Sequence, residues 1–214
     1  MKELTAQTLP ALFDAVAAHF LAQRDRLCEM DAAMGDGDLG LTMSKGFGAL
    51  PALIRQNMDA EDLGKTLMRA GMKMASVVPS TMGTLMSSGI MAGGKALLGS
   101  STVDAAGLAA FLTAFAQGVQ NRGKCSPGDR TVLDALFPAA QACRALDNPT
   151  TLDEVITAAQ DAAAAGVEAT KQMVPKFGKA AVFSAKALGV ADQGAVAGLC
   201  LLQGMGAYIL EQAS

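Results

Sequence analysis

Three aspartates lie within eight residues of one another in the segment MDAAMGDGDLGLT, at Asp31, Asp36 and Asp38. Gly35 and Gly37 stand between them, and glycine readily supplies the backbone conformations of a turn. A turn at this point would let the three carboxylates converge. Mg²⁺ takes carboxylate oxygens together with waters and substrate phosphates, so several aspartates in one tight loop are typical of a magnesium–phosphate site.

The same segment also has a purely structural interpretation. Asp-Gly-Asp is a good turn, and it could cap the helix that we predict to begin near Thr42. Asp31 favours a ligand site, because an acid at the apolar end of the preceding helix is costly to bury without a partner. No basic side chain lies within six residues of Asp36, so a metal ion is the natural partner. A calcium-binding EF-hand loop is rejected, because its alternating ligands and terminal Glu do not follow Asp38.

The composition indicates how these aspartates are held in place. Of the 214 residues 51% are hydrophobic, but only 4% are aromatic and none is Trp. Ala, Leu, Val and Met must therefore fill the interior, and this set of residues favours helices. The chain is long enough to bury a sizeable core, and we expect one domain over residues 1–214.

Apolar residues recur at positions i, i+3, i+4 and i+7 in most segments, whereas alternation with period two is almost absent. This pattern predicts an all-α fold, a single-domain bundle or barrel of about eight helices. Thr151 and Glu154 form a capping-box pattern at the start of one of them. The helices predicted between turn signals cover 8–33, 42–54, 60–75, 83–98, 103–121, 131–145, 152–172 and 195–212.

Several classes of function are disfavoured by the sequence. A net charge of −3 without a basic patch gives no reason to expect nucleic acid. The Met-rich stretch 72–98 is interrupted by polar residues well short of the ~20 apolar residues that span a bilayer, so we expect no membrane insertion. Four scattered cysteines and the absence of a signal-peptide pattern indicate a reduced, cytoplasmic setting.

Two further blocks carry a family resemblance together with the first. MDAAMGDGDLGLTMSKGF resembles the D-x-x-x-x-G-D-x-D-H-G signature of the DhaL family, and NRGKCSPGDRTVLDALFPA resembles that family's R-G-K-x-x-P-G-D-K-T-x-x-D motif. GKAAVFSAKALGVADQGA, at 178–195, looks like the family's lid segment, which ends in D-P-G-A. The three blocks have the expected order and span most of the chain.

The resemblance implies an eight-helix barrel with a deep polar pocket at one end. In that pocket the three aspartates would hold two Mg²⁺ ions, which bridge the phosphates of ADP or ATP. Lys179 stands where the family usually has an Arg at the phosphates, and it would stabilise phosphate charge during transfer. The positions that match the nucleotide site are Leu39, Gly40, Thr42, Ser80, Thr81, Met82, Gly123, Val132, Lys179, Asp192 and Gly194.

The second block has a structural interpretation of its own. Pro127-Gly128-Asp129 is a good turn, and Asp129 or Thr131 could simply cap the helix that begins near 131. Asp134, in the first turn of that helix, could orient the loop instead of touching a ligand.

Three positions depart from the family pattern. Leu39 replaces a His, Gln193 replaces the Pro of the lid motif, and the loop Pro79–Gly83 keeps one glycine where relatives read G-G-A-S-G. Pro and Met in that loop limit how closely the backbone can approach a ligand. These departures motivate an alternative, in which the chain is a non-catalytic ADP-binding regulatory or interaction module.

The leading hypothesis is the nucleotide-binding L subunit of a dihydroxyacetone-type keto-sugar kinase. The chain lacks the substrate-holding histidine of the relatives' partner, so a separate K-type substrate-binding subunit is expected. In some relatives a phosphotransferase-system protein rephosphorylates bound ADP, and in others ATP is exchanged; the sequence leaves both open. A homodimer is a further alternative.

Overall fold

The computed structural model describes residues 1–177 and 187–212, and in these ranges almost all regular structure is helical. Two short strands, β1 (Glu3–Leu4) and β2 (Val103–Asp104), pair antiparallel. The all-α prediction is confirmed. The helices are α1 (Leu9–Ala22), α2 (Arg24–Ala32), α3 (Leu39–Gln56), α4 (Leu63–Val77), α5 (Thr81–Ala96), α6 (Ala105–Gly123), α7 (Leu133–Ala145), α8 (Leu152–Ala169), a 3-10 turn (Thr170–Gln172) and α9 (Gln193–Glu211).

Eight of these helices form a closed ring. Each of α3 to α8 packs against the next helix in the chain, α8 packs against α9, and α9 and α3 both pack against α1. The short helix α2 continues from α1 and packs mainly on α3. The arrangement is therefore a helical barrel, in agreement with the predicted number of helices.

Local sequence sets most of the helix starts. Side chains of Asp62, Ser80, Asp104, Thr151 and Asp192 each accept a hydrogen bond from a backbone N–H in the first turn of the helix that follows. Such caps satisfy donors that a helix cannot pair internally. At the predicted capping box Thr151 accepts from the N–H of Glu154, but the Glu154 carboxylate accepts from the N–H of Thr150 instead of that of Thr151.

The first helix was predicted as one element over 8–33, and this prediction is wrong. The chain breaks at Gln23, whose N–H still bonds to the carbonyl of His19. A separate helix, α2, begins at Arg24, and Asp31, its penultimate residue, lines the cavity at the end of the barrel.

Side chains fill the interior of the barrel. Phe20 of α1 and Phe47 of α3 stack with their ring centroids 4.5 Å apart, and both are fully buried. Near β1 and β2 a residual apolar cavity measures about 10 Å³, which is at the lower limit for holding one water. The half of the barrel beside the strands is therefore packed solid.

Helix α9 is long and apolar enough to cross a membrane by length and composition alone. It packs on α1, α7 and α8, and 67% of its most apolar window is buried inside the protein. These contacts make α9 a core helix of the barrel, because a helix that is apolar on most faces needs burial on most faces.

Because successive helices run up and down around the ring, every second helix begins at the same end. The first residues of α3, α5, α7 and α9 all face one cavity there. The connections 57–62, 97–104 and 146–151 lie between the other helix ends. The two ends of the barrel are thus built from different connections.

Candidate metal centre and adjoining cavity

A cavity of about 360 Å³ opens at the end of the barrel where α3, α5, α7 and α9 begin. Backbone N–H groups in the first turn of a helix carry partial positive charge, and four such turns face the same space. The residues that line the cavity are Asp31, Met34, Gly35, Asp36, Asp38, Leu39, Thr42, Ser80, Thr81, Met82, Leu85, Arg130, Thr131, Val132, Phe177, Asp192, Gln193 and Gly194.

Three carboxylates converge at one side of the cavity. One oxygen from each of Asp31, Asp36 and Asp38 lies within 4.8 Å of the other two. Asp31 is buried, whereas Asp36 and Asp38 are exposed to the cavity and solvent. All three offer hard oxygen ligands, so the donor set fits Mg²⁺ with waters or phosphate oxygens in the remaining positions.

The turn that brings these carboxylates together depends on two glycines. Gly37 has φ +77°, a left-handed conformation that other residues rarely adopt. Gly35 lies directly against the Asp31 carboxylate, where a Cβ would collide with Oδ1. Asp31 Oδ2 accepts hydrogen bonds from the N–H groups of Gly37 and Asp38, at 2.9 and 3.1 Å. The buried carboxylate therefore organises the loop on one side and presents its other oxygen to the cavity.

The side chain of Asp38 does not cap α3. Asp38 is the N-cap residue, and its carbonyl accepts from the N–H of Thr42 at 2.9 Å, but its carboxylate makes no capping hydrogen bond. The interpretation of Asp-Gly-Asp as a simple cap is therefore wrong for this position. The carboxylate is directed to the cluster instead.

The loop 126–131 uses its aspartates differently. Asp129 accepts from the N–H of Ser126 at 2.7 Å and from Lys176 Nζ at 2.6 Å, so the expectation that Asp129 caps the next helix is wrong. Asp134 is buried and accepts from the N–H groups of Gly128 and Thr131, at 2.5 and 2.7 Å. Asp134 orients the loop, as the sequence suggested.

Arg130 is a buried cation that the sequence analysis did not identify. Its side chain is 0% exposed and its backbone has φ +60°. One guanidinium nitrogen lies 3.4 Å from Asp192 Oδ1, and another donates to the carbonyls of Ala187 and Val190 at 3.4 and 3.0 Å. Arg130 thus ties the start of α9 and the segment before it to the floor of the cavity.

Asp192 is the N-cap of α9 and lies against Arg130. Its Oδ2 accepts from the N–H of Ala195 at 2.8 Å, and its own N–H donates to Thr170 Oγ1 at 2.9 Å. Burial raises the pKa of the Asp192 carboxyl to about 6, although the Ala195 N–H and the guanidinium of Arg130 act in the opposite direction.

The charges along the cavity wall are unequal. Among the described lining residues four are carboxylates, Asp31, Asp36, Asp38 and Asp192, and one is a cation, Arg130. An anionic ligand such as a phosphate would be repelled by this excess unless a cation accompanies it. The geometry therefore suits a phosphate that arrives with divalent metal, near helix starts that favour negative charge.

Most of the residues predicted for a nucleotide site face this one cavity. Gly40 does not line it, because Gly40 packs against the carbonyl of Arg24. Gly123, at the end of α6, lies against Cys125 and Leu85 and is also outside the lining. Lys179 falls outside the described residues. The predicted residues that do line the cavity are Asp31, Asp36, Asp38, Leu39, Thr42, Ser80, Thr81, Met82, Val132, Asp192 and Gly194.

Apart from Gly35, which was predicted only as a turn residue, six residues that line the same cavity were not predicted for the site. Arg130 and Thr131 lie in the quoted second block, and Gln193 was noted only as a departure, so a positional signal existed for these three. Met34, Leu85 and Phe177 carry no chemical signal in the sequence, because apolar residues at helical spacing look like any other core positions. All six line the cavity described above.

The protein belongs to the DAK2 domain family. The family model for the DAK2 domain matches residues 33–207, which include Asp36, Asp38, the 126–131 loop and most of α9. The resemblance to the DhaL family stated from the sequence is thereby confirmed.

Relatives with assigned names fall into two groups by length. The chain is 31% identical over 179 residues to the "PEP-dependent dihydroxyacetone kinase 1, ADP-binding subunit DhaL" of Listeria innocua, and the match covers 84% of each chain. It is 29% identical over 201 residues to the triokinase/FMN cyclase of Mus musculus. That match covers 94% of this chain but 34% of the mouse protein, so the chain spans about a third of the longer relatives.

The fold has a counterpart among solved structures. The dihydroxyacetone kinase of C. freundii in complex with AMP-PNP and Mg²⁺ superposes with a TM-score of 0.70 and 27% sequence identity. The superposition covers 97% of this chain and 34% of that one. The helical barrel is therefore shared over its whole length.

Proposed function

We propose that this chain is the nucleotide-binding L subunit of a dihydroxyacetone-type keto-sugar kinase. It binds ADP or ATP with Mg²⁺ in the cavity at the end of the barrel. The observation that carries the proposal is the meeting of three converging carboxylates with four helix starts in one cavity. The carboxylates suit a divalent metal ion, and the helix starts suit phosphate. A nucleotide bound with Mg²⁺ supplies both.

The described lining residues fall into two groups, one that suits the metal and the phosphates and one that suits the base. Asp31, Asp36 and Asp38 would hold two Mg²⁺, with Asp31 fixed in place by the backbone of its own loop. Bound Mg²⁺ neutralises phosphate charge and orients the phosphates for in-line transfer. Ser80, Thr81 and Thr42 offer hydroxyls near the helix starts, although Ser80 Oγ also accepts from the N–H of Gly83 at 3.0 Å.

Part of the lining is apolar and suits a base. Val132, the residue before α7, is buried, and Met82, Leu85 and Phe177 also line the cavity. Flat aromatic ligands bind in such clefts because burial of apolar surface contributes about 25 cal/mol per Å². Lys179, which the family resemblance places at the phosphates, and the roles of Gly40 and Gly123 belong to the same proposal.

Catalysis would rest on positioning and on charge neutralisation instead of acid–base chemistry. No described side chain in the lining is a histidine or a lysine that could hold a keto-sugar covalently. A separate K-type subunit would therefore bind the substrate and present its hydroxyl to the nucleotide. The similarity to a relative named as an ADP-binding subunit, over 84% of both chains, supports this division.

The phosphoryl group would come from one of two donors. A phosphotransferase-system donor protein would rephosphorylate bound ADP, as the phrase "PEP-dependent" in the name of the Listeria relative suggests. Alternatively, ATP would exchange freely. Supplying each donor in turn to the protein with a K-type subunit separates the two routes.

A second candidate function is a non-catalytic ADP-binding module. Leu39 places an apolar side chain, 6% exposed, on the cavity wall beside the carboxylates, where the family has a polar contact. Met82, the second residue of α5, likewise stands where the family has a small residue. Both changes reduce polar contact to the nucleotide while leaving the three carboxylates intact.

Calorimetric titration with ADP, with and without Mg²⁺, tests the proposal. We expect binding that requires Mg²⁺ and is lost on adding EDTA. Absence of Mg²⁺-dependent binding would overturn both candidate functions. Binding without phosphoryl transfer to dihydroxyacetone, in the presence of a K-type subunit and each donor, would leave only the non-catalytic module.

A further inference from the structure

Gln193, the first residue of α9, lies beside the carboxylate cluster in the cavity lining. Its Nε2 lies 3.4 Å from Asp31 Oδ1, across 162 positions of sequence. This is the one oxygen of Asp31 that the backbone of the carboxylate loop does not occupy, because Oδ2 accepts from Gly37 and Asp38. Gln193 therefore reaches the ligand atom that Asp31 presents to the cavity.

The amide oxygen of Gln193, Oε1, indicates what else binds at this position. Gln193 Oε1 is fully buried and has no hydrogen-bond partner among the described residues. A buried acceptor without a partner destabilises the folded state, so native structures rarely keep one. Reversing the amide would not help, because it would place Oε1 against the negative Asp31 oxygen. With Nε2 toward Asp31, Oε1 is an acceptor that only a hydrogen-bond donor or a cation can satisfy.

The chemistry of the amide carbonyl limits what that partner is. Phosphate oxygens at neutral pH are acceptors, so they cannot satisfy Oε1. A metal ion or a metal-bound water can, and amide oxygens are normal partners of hard cations. The cluster of Asp31, Asp36 and Asp38 places such a cation beside Gln193.

We propose that Gln193 is a positioning residue for the metal centre. Its Nε2 holds Asp31 Oδ1 in the ligating orientation, and its Oε1 accepts from the hydration shell of the cation or contacts the cation itself. The proposal rests on the proposed function, since it takes the three aspartates as the metal ligands. It concerns this chain in particular, because the family motif has Pro at this position, and Pro has no polar side chain.

The position on α9 makes this arrangement stable. Asp192, the preceding residue, caps α9 and is held by Arg130 and Thr170, so the first turn of the helix is fixed on two sides. Gly194, the following residue, packs closely on Val132 and Asp192. A side chain that projects from such an anchored turn loses little further entropy when it orders a ligand.

The test measures Mn²⁺ binding by electron paramagnetic resonance, as a substitute for Mg²⁺, both without nucleotide and with saturating ADP. Gln193→Met keeps the length of the side chain but removes the amide. Gln193→Glu restores an oxygen at the position of Oε1. The matched control is Gln117→Met on the exposed face of α6, where the amide bonds only to Gln120 and Asn121 among the described residues.

We expect Gln193→Met to weaken Mn²⁺ binding about tenfold, the usual effect of removing a partner of a metal ligand. Its thermal unfolding midpoint in EDTA should match that of the Gln117→Met control. Gln193→Glu should bind Mn²⁺ more tightly than Gln193→Met but more weakly than the wild type, because it returns an oxygen at the position of Oε1 without the Nε2 donor to Asp31.

Three results would overturn the proposal in distinguishable ways. If the wild type binds no Mn²⁺ in either condition, the metal centre of the proposed function fails and the role of Gln193 fails with it. If the wild type binds Mn²⁺ and Gln193→Met binds it equally well, only the role of Gln193 fails. If Gln193→Met and Gln193→Glu bind Mn²⁺ equally, and both more weakly than the wild type, then packing at this position, and not its oxygen, supports the site.

Discussion

Two short loops at the same end of the barrel both contain Gly-Asp and both carry buried aspartates, yet they use them in opposite ways. In the loop 31–38 one carboxylate, Asp31, binds the backbone, and three carboxylates remain close enough to share a cation. In the loop 126–134 the carboxylates of Asp129 and Asp134 are taken up by N–H groups of Ser126, Gly128 and Thr131 and by Lys176. The first loop has the geometry of a ligand site, and the second is a scaffold.

The difference comes from where the hydrogen-bond donors are. The second loop turns its own N–H groups inward around its aspartates, so their charge is satisfied within the loop. The first loop supplies two donors to a single oxygen of Asp31, and helix α3 takes no capping bond from the side chain of Asp38. Similar sequence motifs therefore acquire different functions through the pairing of their backbone groups.

The strongest way to break this comparison is Asp36→Asn. Losing one of three converging carboxylates should abolish Mg²⁺-dependent ADP binding, because the substitution removes one of the negative charges that attract the cation. The free energy of unfolding in EDTA should change little, since Asp36 is exposed. Calorimetry and urea denaturation measure the two effects. Asp25→Asn, at an exposed position of α2, is the matched control. Unchanged binding by Asp36→Asn would remove the central claim.

Arg130→Met tests the scaffold loop where it is most deeply buried. The substitution leaves Asp192 buried without its cation and the carbonyls of Ala187 and Val190 without a donor. Removing one member of a buried ion pair costs about 3 kcal/mol or more. Urea denaturation should show this loss, whereas Arg144→Met, on the exposed side of α7, should be nearly neutral. Equal stability of the two variants would contradict the scaffold role of Arg130.

Asp134→Asn repeats the first substitution in the second loop. An amide can accept from one of the N–H groups of Gly128 and Thr131, but it places its own NH₂ against the other. We expect a loss of about 2 kcal/mol of unfolding free energy, as for a buried donor left unpaired. Mn²⁺ affinity of the folded protein should stay close to the wild-type value. Asp134→Asn and Asp36→Asn showing the same pattern of loss would erase the distinction between the loops.

Lys176→Met should have the smallest effect. The hydrogen bond and charge of Lys176 hold the pKa of Asp129 below its ordinary value. This pair stabilises the folded state above the unfolded pKa of about 3.9, and its contribution is lost as the pH falls through the folded pKa. Lys176 is 64% exposed, so the loss at neutral pH should stay below about 1 kcal/mol. Carboxyl NMR titration should show the pKa of Asp129 rising in the variant.

The sequence could predict the carboxylate cluster because its members lie close together in the chain. A single turn is enough to bring together the carboxylates of Asp31, Asp36 and Asp38, and the glycines between them predict that turn. The helices were predicted by their apolar spacing, and their observed boundaries fall within a few residues. The division at Gln23 was missed, because neither glycine nor proline marks it. Strands β1 and β2 are too short for a period of two to be recognised.

The rest of the site depends on contacts between distant segments. Gln193 meets Asp31 only because α9 closes the ring beside α1, and no local pattern encodes that distance. Arg130 looked like one more charge in a turn, and its burial follows from the carbonyls that surround it. Asp129 was expected to cap a helix, but Lys176, 47 residues away, and Ser126 claim its carboxylate. Long-range pairing of this kind is beyond propensity and spacing.

Because helix direction alternates around the ring, the end of the barrel away from the cavity can accept changes in its connections. None of the described cavity-lining residues comes from the connections 57–62, 97–104 or 146–151. Exposed loop tips of this kind tolerate insertions, because their backbone supports little of the core. A fluorescent or affinity module inserted at 147–149 should therefore leave metal binding intact, which makes the barrel a scaffold whose recognition end and attachment end can be engineered independently.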